Sequence, residues 1–226
     1  TFTVNALNQY AAVNGVPYTY TAGGCLQSDT VWSYGYDYEN LPVSADNGTD
    51  SVIYAYDGLK RRVSRTVNGV ETRFLYDSFN LREIRDGGGA LQVRYIYEPG
   101  LDGLVLMKTG GVDYFCHRDR LGSIIALSDA TGNTVETYTY SPFGTPAAPS
   151  ALGNVLMYCG SVYDPDTGLH YMRARYYSPA LGRFITPDPL GFYGGGLNVY
   201  TYALNNPLRF NDRLGLYSNI GGGYLD

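Results

Sequence analysis

From residue 151 onward the chain holds five aspartates, five arginines and no lysine. Three of the aspartates stand at distinctive places, as Asp164-Pro165, Asp188-Pro189 and Asp212-Arg213. Carboxyl groups are the natural candidates for acid and base work. Spacing alone gives them a plainer role, because Asp before Pro is the ordinary opening of a type I turn. On spacing alone, then, these aspartates are turn residues.

Other chemistries find less support. Asp164 to Gly168 has the flavour of a calcium loop, but it lacks a third oxygen ligand, and Arg175 stands where such a loop needs Glu. His117 and His170 are far apart and unpaired, which argues against a metal site or a catalytic histidine. Cys25, Cys116 and Cys159 are odd in number and widely spaced, unlike a disulfide framework or zinc pairs. They read as small buried or half-buried side chains. There is no phosphate-cradling glycine loop and no G-x-S-x-G elbow. No metal and no cofactor is expected.

The elements that would position these groups follow from composition. The 226 residues include 24 Tyr, 8 Phe and 29 Gly, with only two Lys and five Glu. Good helix formers are missing, so a helix bundle is excluded. Tyr, Val, Thr and Gly at this density predict an all-β chain of short strands and tight turns. The formal charge of −5 argues against a nucleic-acid coat, and no apolar run is long enough to span a bilayer as a helix. Beginning Thr-Phe-Thr, the chain reads as a piece of something longer, with no signal peptide pattern.

A repeat organises the first 150 residues. Tyr36-Asp37, Tyr56-Asp57 and Tyr76-Asp77 stand 20 residues apart, and Tyr97-Glu98 keeps nearly the same interval. Each unit reads as strand, turn, strand: Val52, Tyr54 and Tyr56 alternate, Asp57-Gly58 turns, Arg61 to Val67 returns, and Asn68-Gly69 turns again. A single hairpin is barely stable in water, so the units must join into one long antiparallel sheet. Further turns are expected at 77–80, 86–89, 98–103 and 129–133. Tyr36, Tyr56, Tyr76 and Tyr97 should then lie at similar height, with neighbouring rings in contact. Such tyrosines suit sugar stacking too, but cross-strand packing in a one-layer sheet is the favoured reading. Helix should be confined to a turn or two near Leu197 to Leu204.

Together these features resemble the YD-repeat, or RHS-repeat, proteins, related to the C components of insecticidal toxin complexes and to the teneurins. The stretch HRDRLGSIIALSDATGNTVETYTYSPFG (117–144) resembles a frequent segment of that family, and residues 163–216 resemble its RHS-associated core domain. The resemblance implies a spiralling hairpin sheet over 1–150 that forms part of a hollow shell. A mostly irregular core segment follows over 151–216, then a Gly-rich tail or linker over 217–226. The implied partners are the rest of the shell and the chain's own C-terminal polypeptide, held inside until delivery. The implied location is secreted or cell-surface. A non-catalytic structural or adhesive protein, binding glycans or further copies of itself, is the alternative.

The resemblance also assigns roles. It implies intramolecular, aspartyl-type cleavage of the Leu216–Tyr217 bond by Asp188 and Asp212, helped by Arg175. Two such carboxylates must share one proton, so that one activates water while the other donates. This chain has Arg213 where the family has Pro. A guanidinium beside Asp212 should favour its charged form, so cleavage is expected to be slow or absent, and Arg213→Pro should speed it.

Overall fold

The computed structural model describes residues 1–194 and 196–220. A small sheet of β1 (Phe2–Val4), β2 (Tyr10–Val13) and β3 (Val16–Pro17) opens the chain. Thirteen antiparallel strands then follow as one uninterrupted meander, each paired with its sequence neighbours. They are β4 (Thr19–Tyr20), β5 (Leu26–Ser28), β6 (Ser33–Tyr36), β7 (Pro42–Asp46), β8 (Ser51–Tyr56), β9 (Arg62–Val67) and β10 (Val70–Asp77). The meander continues through β11 (Asn80–Asp86), β12 (Leu91–Tyr97), β13 (Leu104–Thr109), β14 (Val112–Arg118), β15 (Ile124–Ser128) and β16 (Thr134–Thr137). The all-β expectation holds.

One five-residue turn accounts for much of this regularity. It recurs at 21–25, 37–41, 57–61, 86–90, 119–123, 129–133 and 141–145. In each, the first residue's N–H donates to the fifth residue's carbonyl, and its side-chain oxygen accepts the fifth residue's N–H. Asp, Thr or Ser stands first in these, and Asn5 does so in the same turn at 5–9. The fourth residue is left-handed, as at Asn40 (φ 62°) and Gly89 (φ 89°), which favours Asn and Gly. This corrects the reading of Asp57-Gly58 as a two-residue hairpin turn. The turn spans 57–61, and Lys60 rather than Gly58 takes the positive φ. Asn68-Gly69 is the two-residue turn expected, with both residues left-handed and Val67 opposite Val70.

The tyrosine of each Tyr-Asp pair has its own task. The hydroxyl of Tyr36 donates to the Leu26 carbonyl at 2.6 Å, Tyr56 to Pro42 at 2.7 Å, Tyr76 to Arg62 at 3.0 Å and Tyr97 to Leu81 at 2.8 Å. Every acceptor lies on the preceding strand, just past the previous turn. Among the described residues no ring contact joins two of these four tyrosines, so the expected ring-to-ring ladder is replaced by hydroxyl-to-backbone staples. The repeat spacing is the distance from one staple to the next.

One face of the long sheet is apolar and is filled by the C-terminal segment. Tyr54, Phe74, Val93, Tyr95, Met107 and Leu127 share a core with Leu156, Val162, Tyr171 and Tyr176. The segment is mostly irregular, but it contains a four-stranded sheet, β17 (Val162–Asp164), β18 (Leu169–Met172), β19 (Arg175–Ser178) and β20 (Arg183–Phe184). Strands β18 and β19 are buried at every position. A fully buried Arg62 on β9 pairs with Asp164 on β17, among the rings of Tyr54, Phe74, Tyr171 and Tyr176. Asp164 and Asp166 both accept Arg65 at 3.1 Å, so the carboxylates of the would-be calcium loop are spent on arginines.

Helix is limited to single 3-10 turns at Tyr158–Gly160, Gly191–Gly194 and Ala203–Asn205 among the described residues. The last overlaps the expected location, and its residues are left-handed throughout. None of the described helices is long and apolar enough to cross a membrane. Cys25 and Cys159 are buried and Cys116 half-buried, all as free thiols. His170 is a fully buried core group, with Nε2 at 3.0 Å from the Gly144 carbonyl. Finally β21 (Phe210–Asn211) pairs with β22 (Asn219–Ile220). The tail expected over 217–226 therefore enters a paired strand at Asn219, and residues 221–226 lie outside the described residues.

Candidate functional site

The loop between β21 and β22 carries the Leu216–Tyr217 bond, and the β18–β19 hairpin holds it. That hairpin turns through Arg173 and Ala174, with Met172 opposite Arg175. Arg173 Nη1 donates to the Arg213 carbonyl at 2.6 Å, the Ala174 N–H donates to the Leu214 carbonyl at 3.1 Å, and Arg175 Nε donates to the Gly215 carbonyl. Three consecutive donors grip three consecutive carbonyls, ending one residue before the Leu216 carbonyl. The fit leaves no room for a side chain at Gly215, whose φ is +68°. A methyl group there would lie 2.5 Å from the Met172 carbonyl oxygen and 2.9 Å from the Arg175 nitrogen.

Asp188, Asp212 and Arg175 meet at this loop. One guanidinium nitrogen of Arg175, Nη2, lies 2.8 Å from Asp188 Oδ2 and 3.0 Å from Asp212 Oδ2. The two carboxylate oxygens are therefore within about 6 Å of each other, close enough for one bridging water. Arg175 lies over the Phe184 ring, 3.6 Å from its centroid, and its Nη1 donates to the Val199 carbonyl at 3.1 Å. The site is nearly closed: Arg175 and Asp212 are 2% exposed and Asp188 9%.

Each carboxylate also does turn work. Asp188 Oδ1 accepts the Leu190 N–H at 2.8 Å. Asp212 Oδ1 accepts the N–H of Leu216 at 2.9 Å and of Tyr217 at 3.2 Å. The turn reading and the paired reading describe opposite oxygens of the same groups. Across the site, Asp188 Oδ2 and the Leu216 carbonyl oxygen converge on Gly194, where a methyl group would overlap both. A cavity of about 230 Å³, lined by Asn198, Thr201, Asn205 and Ser218 among others, opens beside the three charged groups and has room for water.

Burial sets the electrostatics. It pushes Asp212 up to about 6, against the opposing pull of Arg175 and of the two backbone N–H donors, with Asp188 adding a smaller upward push. Asp188 is also raised by burial, partly offset by Arg175. Arg175 is itself lowered by burial despite its two carboxylates. Two carboxylates around one guanidinium, all largely shielded from solvent, favour retention of a proton.

Arg213 does not take the position its sequence neighbour suggested. Its guanidinium donates to the Leu121 carbonyl at 2.9 Å, against the 119–123 turn of the long sheet. The Asn211 side chain donates to the same carbonyl at 3.0 Å. Arg213 thus anchors the terminal segment to the wall, and the cation that acts on Asp212 is Arg175. Sequence reasoning missed Arg173, Ala174 and Gly215. The Leu-Gly-Leu run was a usable signal for Gly215; the two hairpin residues left none.

A sheet of stapled hairpins, wrapped over a core that presents its own C-terminal loop to two carboxylates, is a repeat shell. Residues 1–214 match the teneurin YD-shell family model, and the chain belongs to that family. It is 38% identical over 216 residues to the tRNA nuclease WapA of Bacillus subtilis, covering 90% of this chain and 9% of that protein. It is 33% identical over 200 residues to the probable deoxyribonuclease RhsB of Dickeya dadantii, covering 82% of this chain and 14% of that protein. Among solved structures, a TcdB2–TccC3 complex without its hypervariable C-terminal region superposes with a TM-score of 0.69 at 24% identity. That superposition covers 87% of this chain and 11% of the other, and shows a shared fold. The chain spans well under a fifth of each of these relatives.

Proposed function

We propose that this chain is the closing segment of a shell that encloses a C-terminal effector polypeptide, and that it cuts that polypeptide free by hydrolysing its own Leu216–Tyr217 bond. The observation that carries the reading is the hydrogen bond from the Tyr217 N–H to Asp212, with Asp188 beside the Leu216 carbonyl on the same Arg175. Protonated Asp188 polarises the Leu216 carbonyl. Ionised Asp212 takes a proton from a water in the adjoining cavity, and the resulting hydroxide adds to the carbonyl carbon. As the C–N bond breaks, Asp212 returns that proton to the Tyr217 nitrogen. The products are a Leu216 carboxyl group and a Tyr217 amine, and Arg175 offsets the negative charge throughout.

The relatives support the carrier reading. Proteins named for acting on tRNA and on DNA share this segment, so the shared part is suited to housing different activities rather than supplying one. The same comparison supports a secreted or surface location, association with further shell wall and an enclosed payload. The test uses the full-length protein. After incubation, its downstream polypeptide should be a separate band on a denaturing gel yet co-elute with the shell on native size exclusion. A single uncut band would overturn cleavage. Immediate separation of the two under native conditions would overturn enclosure.

A further inference from the structure

We infer that Arg173 is a positioning residue, through which the shell wall controls whether the scissile loop is held for cleavage. This rests on the cleavage reading above. Arg173 occupies a left-handed turn position (φ 57°) and divides its guanidinium between two partners. Nη1 donates to the Arg213 carbonyl at 2.6 Å, and Nη2 pairs with Asp102 Oδ1. Asp102 belongs to the wall, in the turn between β12 and β13, and is itself left-handed at φ 61°.

The wall fixes Asp102 from two sides. Its N–H donates to Asn80 Oδ1 at 3.0 Å, and its carbonyl accepts Arg118 Nη1 at 3.0 Å. Those partners come from β11 and β14, so three neighbouring hairpins must be in register for Asp102 to stand where it does. From Asp102 the chain of contacts runs through Arg173 to the carbonyl of Arg213, next to Asp212. Remove the Asp102 carboxylate and the Arg173 side chain has no wall anchor. A guanidinium on four rotatable bonds then grips the Arg213 carbonyl only part of the time. The loop that must align the Leu216 carbonyl with Asp188 loses its first contact. Cleavage is thereby made conditional on a correctly closed wall, so an unassembled shell would keep its effector attached.

Cleavage rates of the full chain test this, together with amide exchange at Leu216 and Tyr217 measured in an Asp188→Asn background. Asp102→Ala and Arg173→Ala should each slow cleavage at least tenfold and speed exchange at those two amides at least tenfold. The double variant should be no slower than the slower single one. Asp102→Asn, which keeps the shape, should fall between, and Arg173→Lys should recover part of the loss. Lys108→Ala, which breaks a half-exposed pair with Asp113 between β13 and β14, should leave the cleavage rate unchanged. If Asp102→Ala misfolds, Asp102→Asn and Arg173→Lys decide the question. Parental rate and parental exchange in Asp102→Asn, or single effects that multiply in the double variant, would overturn the assignment. Should the parent itself not cleave, the cleavage reading fails while the exchange comparison still judges the clamp.

Discussion

The N–H of Tyr217 donates to Asp212 Oδ1 at 3.2 Å, across the loop that Asp212 itself begins. The N–H of Leu216 donates to the same oxygen at 2.9 Å. A residue that caps its own loop therefore rests on the nitrogen that must leave if the loop is cut. Asp212→Asn keeps an acceptor for both amides but cannot carry a proton. It should fold and cleave at least a thousandfold more slowly, as read from band intensities over time. Asp212→Ala also loses both hydrogen bonds, and should cost about 1–3 kcal/mol of stability.

The pH dependence follows from the elevated Asp212. Cleavage needs one proton in the site, and Asp212 is raised by burial to about 6. That proton belongs on Asp188 while Asp212 must be ionised to take the water's proton, so the rate should fall about tenfold per pH unit as pH drops below about 6. The stability effect has its own sign. In the window from about 4 to 6 the folded state binds more protons than the unfolded state, so stability falls as pH rises, and the loss is complete above 6. Its size is roughly 3 kcal/mol. The melting temperature of Asp212→Asn minus that of the parent should therefore be more positive at pH 7.5 than at pH 4.5. An equal difference at both would show that Asp212 titrates normally.

Gly215 is under two constraints, a positive φ and backbone on both sides of the missing side chain. Gly215→Ala should displace the loop from the β18–β19 hairpin and cut the cleavage rate at least a hundredfold. The melting temperature should fall as well, by an amount fitting a strained left-handed residue of about 1–2 kcal/mol plus steric overlap. Gly153→Ala also has positive φ but nothing nearby, and should leave the cleavage rate unchanged.

The staple hydroxyls can be tested one at a time. Tyr56 donates to the Pro42 carbonyl at 2.7 Å and lies 2.9 Å from the Tyr176 hydroxyl. Tyr56→Phe removes the hydroxyl and leaves a buried carbonyl without its donor, at a cost of about 1–3 kcal/mol in denaturant unfolding. Tyr38→Phe, on a ring 94% exposed, should change nothing measurable.

What the sequence made legible was what repeats or what matches a motif. The Tyr-Asp interval located the hairpins, and at Asp37 and Asp57 a turn that needs a side-chain acceptor at its first position and a left-handed residue at its fourth leaves both in the sequence. The interval did not show that Tyr56 reaches backwards to Pro42 instead of sideways to another ring, since both arrangements have the same period. The pairing of Asp188 with Asp212 came from resemblance, as 24 residues of irregular chain carry no spacing signal. Arg213 was misjudged for a simple reason: adjacency along a loop says little about direction, and its guanidinium found the Leu121 carbonyl. Arg173 and Asp102 meet across 71 residues, a distance over which only the folded wall can bring them together.

Intact mass of the purified chain, followed over days at pH 6 beside Asp188→Asn, tests the central claim most directly. Hydrolysis at Leu216–Tyr217 should convert the parent into two species, residues 1–216 and 217–226, whose masses sum to the parent plus one water. Asp188→Asn should stay whole. A parent that remains intact, a cut at any other bond, or equal cleavage of the Asp188→Asn chain would each contradict the account.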